Sequence, residues 1–73
     1  MENRDRELID RMMKDKNLNQ LQAMILLILY DDHRAHPDGQ GMTEEEISIA
    51  LEARFTDEEL NAAEFNSEPK NNN

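Results

Sequence analysis

The residues best suited to chemistry are Asp31, Asp32, His33, His36 and Asp38, the one place where imidazole and carboxylate side chains cluster. Such donors suit Zn²⁺ or Ni²⁺, and the short spacing of His33 and His36 lets both reach one ion. The cluster runs into the segment from His33 to Gly41, which holds Pro37 and both glycines of the chain. Those residues punctuate a loop, and a loop gives candidate ligands no fixed geometry. With no cysteine to add a thiolate, the sequence predicts a solvated turn, with no metal and no cofactor. Elsewhere the chain shows no nucleophile motif, no metalloprotease motif and no Gly-rich phosphate loop. Acid–base work by a carboxylate pair needs a concave, partly dry pocket that separates two pKa values. A chain of 73 residues with two Phe, one Tyr and no Trp has little with which to build one. The expectation is therefore a protein that is not an enzyme.

Charge points the same way. The formal net charge is -9, and excess acid repels phosphate and anionic lipid, so neither nucleic acid nor a membrane surface is the expected partner. The charge is uneven. Residues 1 to 17 carry five bases and five acids, residues 18 to 42 sum to -2, and residues 43 to 73 sum to -7. The densely charged N-terminal stretch has no apolar core of a signal peptide. The most apolar stretch, Met24 to Tyr30, has seven residues against the roughly 20 that span a bilayer. A cytoplasmic location is expected.

The elements that position these groups follow from spacing. Leu8, Ile9, Met12 and Met13 fall on one helical stripe among charges, predicting an amphipathic helix over about 4–16. Asn17 or Asn19 breaks it, and an Asn19 cap puts Gln22 at the third helical position, a capping-box spacing. A second helix is predicted over about 18–32, with Leu18, Leu21, Ile25, Ile28 and Leu29 on one side and Leu26, Leu27 and Tyr30 on another. A helix apolar nearly all round is buried on more than one side. Thr43 with Glu46, and Thr56 with Glu59, repeat the capping-box spacing, predicting helices over about 44–54 and 57–65. These bury Ile47, Ala50, Leu51 and Phe55, then Leu60, Ala63 and Phe65. From Asn66 the polar sequence, with Pro69 and three final asparagines, predicts a disordered tail over 66–73. The fold class is all-α, one small domain of three to four helices over 1–65. The first helix either packs back in cis or crosses onto a second copy, which would make Leu27 and Tyr30 a self-interface of a homodimer. The short link at Asn17 favours cis.

The order of elements resembles the three-helix core of helix-turn-helix and winged-helix domains over residues 18–65. The likeness rests on Leu21, Ile25, Ile28 and Leu29, on Met42–Thr43, Ile47 and Ala50–Leu51, and on Thr56, Leu60 and Ala63. Two departures stand out: the turn Glu52-Ala53-Arg54-Phe55 has no Gly, and no β-hairpin wing follows Phe65. The resemblance implies that the last helix reads the major groove. That helix carries Asp57, Glu58, Glu59 and Glu64 and no base, which opposes phosphate neutralisation.

Six acids sit in first helical turns, Glu44 to Glu46 and Asp57 to Glu59, where the helix dipole favours carboxylates. Glu52, Glu64 and Glu68 have no such reason. The functional expectation is a small acidic regulator that binds another protein, itself basic or nucleic-acid-binding, in the manner of a phage-type inhibitor or nucleic-acid mimic. Its candidate contacts are Glu45, Glu52, Asp57, Glu58, Asn61 and Glu64. The alternative is a dimeric helix-turn-helix transcription regulator whose bases at Arg4, Arg6, Arg11, Lys14 and Lys16 contact phosphate.

Overall fold

A computed structural model describes residues 1–67 as four helices, with no strand among the described residues. The expected tail lies mostly outside the described residues. Its first two members, Asn66 and Ser67, belong to the last helix, and Asn66 Nδ2 donates to Gln20 Oε1 at 3.2 Å.

Helix α1 (Asn3–Lys16) ends on Asn17, which adopts a left-handed conformation with φ 54°. The N–H groups of Asn17 and Leu18 both donate to the Met13 carbonyl, a closure that Asn tolerates better than most residues. Two residues later Asn19 opens α2 (Gln20–Ala35) with a reciprocal box. Its side chain accepts from Gln22 N at 2.8 Å while its own N–H donates to Gln22 Oε1 at 3.0 Å. The chain therefore reverses within a few residues and α1 packs back onto α2 in cis.

Helix α2 runs three residues beyond its expected end at Asp32. His33, Arg34 and Ala35 continue it, and the Arg34 cation in the last turn complements the dipole. It stops where Pro37 demands: the residue before a proline is pushed out of the helical region, and His36 has φ -136° and ψ 70°. The loop is therefore shorter than the sequence suggests. Thr43 caps α3 (Glu44–Arg54) through a box with Glu46, and Thr56 caps α4 (Asp57–Ser67) through a box with Glu59. Between them Phe55 is extended, with φ -120° and ψ 150°. No residue of that turn needs a left-handed backbone, so Gly has no task there.

Helices α1, α3 and α4 all pack against α2. The buried core comprises Ile9, Ala23, Met24, Leu27, Ile28, Phe55 and Ala63. On α2 the core face is thus Ala23, Met24, Leu27 and Ile28, rotated by roughly 100°, one residue's step around the helix, from the expected Leu18–Leu21–Ile25–Ile28–Leu29 stripe. Phe55 is buried as expected. Phe65, expected inside, is 76% exposed, because the core side of α4 is set by Leu60 and Ala63 and Phe65 lies off that row.

Candidate functional site

The histidine–aspartate cluster does not assemble. Asp31, Asp32 and His33 lie on the last turns of α2, His36 is its C-cap, and Asp38 is in the following turn. No group of three or more His, Cys, Asp or Glu among the described residues is placed to hold a metal ion. Asp31 is turned inward instead, to a partner the spacing did not foretell. Arg54, in the last turn of α3, donates to both oxygens of Asp5 (Nη2–Oδ1 2.9 Å, Nε–Oδ2 3.2 Å) and, through Nη1, to Asp31. Arg34 stands 3.8 Å from the other Asp31 oxygen. One guanidinium thus links the start of α1, the end of α2 and the end of α3. Asp5 is only 7% exposed, and a carboxylate so enclosed requires a cation and hydrogen bonds beside it. The Asp5 hydrogen bonds hold the Arg54 guanidinium above its ordinary value, against the opposing effect of burial. Its signal in the sequence is indirect: Arg54 is the one base between Thr43 and Pro69.

Two surfaces remain that can recognise something else. The first is an open apolar groove of about 360 Å³ lined by Lys16, Leu18, Gln22, Ile25, Leu26, Leu29 and Tyr30. No residue of α3 or α4 lines it. It occupies the side of α2 opposite the core, and Tyr30 is 42% exposed there. Of the expected self-interface pair only Tyr30 is at this surface, since Leu27 is 3% exposed and points into the core.

The second surface is the outward side of α3 and α4. Glu45, Glu52, Asp57, Glu58, Asn61 and Glu64 are all exposed. Glu45, Ile49 and Glu52 share one face of α3, and Glu58, Asn61 and Phe65 share one face of α4, by helical spacing. Each acidic face therefore carries an exposed apolar side chain, Ile49 at 60% and Phe65 at 76%. The two sets sit on separate helices, and among the described residues no hydrogen bond or ion pair joins one to the other. The remaining first-turn acids have structural work. The Thr43 N–H lowers the Glu46 carboxyl below its ordinary value. Glu59 is lowered first by the N-terminal amine, 2.8 Å away, and then by the Thr56 N–H.

No helix among the described residues is long and apolar enough to cross a membrane. No protein-family model, curated protein or solved structure matches the chain. The molecule is a small all-α protein, with four helices among the described residues.

Proposed function

We propose that the protein is a non-catalytic regulator that binds a basic protein partner through the outward faces of α3 and α4. The observation that carries this reading is the company its acids keep. Glu45 and Glu52 flank the exposed Ile49, and Glu58 and Asn61 lead to the exposed Phe65. Acids alone make a solubilising surface, but a large apolar side chain set among them adds the desolvated contact that protein interfaces use for affinity. Complementary charge steers the encounter with a basic surface. The partner's basic surface could equally serve nucleic acid, in which case the chain acts as an inhibitor by occupying that site.

The helix-turn-helix alternative gains less support. The outward residues of α4 include no base, and on α1 the face shared by Arg4, Arg11 and Lys14 also carries Glu7 and Asp15, while Arg6 and Lys16 lie off it. The test is a capture experiment with the wild-type chain beside the variant Glu45→Lys/Glu52→Lys/Glu58→Lys/Glu64→Lys. A partner retained at about 0.15 M salt, lost with the variant and displaced by duplex DNA supports the reading. Tight binding of duplex DNA by the chain itself, weakening steeply with salt, overturns it.

A further inference from the structure

The groove on the outer side of α2 is a different surface, and it shares no residue with the acidic contacts. We propose that it pairs with the same groove of a second copy, the two α2 helices running antiparallel about a two-fold axis at the level of Gln22 to Leu26.

Charge along the groove makes the face its own complement. Lys16 lines one end. Asp32, three residues beyond Leu29 and seven beyond Ile25, borders the other end of the groove, outside its lining. Neither has an ion-pair partner among the described residues. An antiparallel pair brings the Lys16–Leu18 end of each groove toward the Tyr30–Asp32 end of its partner. A parallel pair would set like charges together at both ends. Gln22, in the middle, already gives its side-chain oxygen to the Asn19 N–H, so that acceptor is satisfied within the chain and its methylenes can face the partner.

Whole-chain charge selects this face over the others. Residues 43 to 73 sum to -7, whereas residues 1 to 42 sum to -2. Two copies meeting through α2 keep their acidic helices apart, while any pairing through α3 or α4 would press those charges together. Size sets the strength. The sixteen residues of α2 form a face about 24 Å long, which places the interface at the low end of specific ones, below about 1,200 Å² in total. The expected Kd is on the order of 10 µM.

Mass by sedimentation or light scattering over roughly 1 to 300 µM reads the proposal directly. The expected result is a shift from one chain to two across that range. Leu29→Glu should raise Kd by at least about tenfold, with circular dichroism checking that its helices remain. If that variant unfolds, the charge variants decide. Lys16→Glu and Asp32→Lys should each weaken the dimer by about three- to tenfold, and the double variant should recover it. A single-chain mass throughout overturns the proposal, as does a dimer that a folded Leu29→Glu variant leaves intact. Single reversals that weaken without rescue in the double variant overturn the antiparallel arrangement.

Discussion

Without the guanidinium of Arg54, Asp5 would be a carboxylate 7% exposed with no cation beside it. Breaking a buried pair from one side costs more than the pair contributes, because the remaining charge stays desolvated. Arg54→Met should therefore lower the unfolding free energy by about 2–4 kcal/mol, read from urea denaturation. Arg54→Lys should recover only part of that loss, since an ammonium cannot reproduce the two-point hold on Asp5. Replacing Asp5 and Arg54 together by leucine should cost less than the two single changes added. The sign of the pH effect also follows. Arg54 is raised, so its contribution is complete below its unfolded value and is lost only as pH rises through the folded one. Both lie far above neutrality, and this guanidinium adds no pH dependence near pH 7.

Among the elements, α3 contributes no fully buried side chain, so its attachment leans on Ile47, Ala50 and Leu51 at partial burial, on Arg54 and on the Thr43 cap. Thr43→Ala should cost about 1 kcal/mol, and α3 amides should exchange with solvent through smaller openings than those of α2. Acid should act on the same caps. The Glu46 and Glu59 carboxyls are held below their ordinary 4.5, so their contribution is present above that value and fades as pH falls through the lower folded one. A Glu46→Gln/Glu59→Gln variant keeps acceptors at both boxes and loses only the charges. Its stability deficit at pH 7 should shrink toward zero in acid, followed by thermal melts at a series of pH values. These boxes were legible in the sequence because a cap and its partner lie three residues apart and need nothing else. The rotation of α2 was not legible. Residues 23 to 30 are apolar without a break, so the helix has no polar side to mark its phase, and only the three helices packed against it decide which face is core. The Arg54–Asp5 link spans 49 residues and leaves no local spacing to read. The six candidate contacts, five acids and Asn61, are exposed, but Ile49 and Phe65 among them became visible only once the core had formed without them.

At the scale of the whole molecule, a core of seven buried apolar residues among those described holds a domain whose surplus stability should be at most about 3–5 kcal/mol for its size. That makes the core and the surface separable by experiment. Met24 is completely buried, and Met24→Ala should cost about 2–5 kcal/mol in lost contacts and cavity. A loss that large is comparable with the entire surplus, so the variant should be substantially unfolded at 25 °C by circular dichroism. Ile49→Ala and Phe65→Ala remove side chains that touch mostly water, and surface changes of this kind stay within about 0.5 kcal/mol. Both variants should melt close to the wild-type temperature, yet hold a protein partner more weakly if the acidic faces bind as proposed, since each deletes the apolar centre of its contact. Equal melting and equal partner affinity in both would leave the acids as a solvating surface alone and remove the role assigned to α3 and α4.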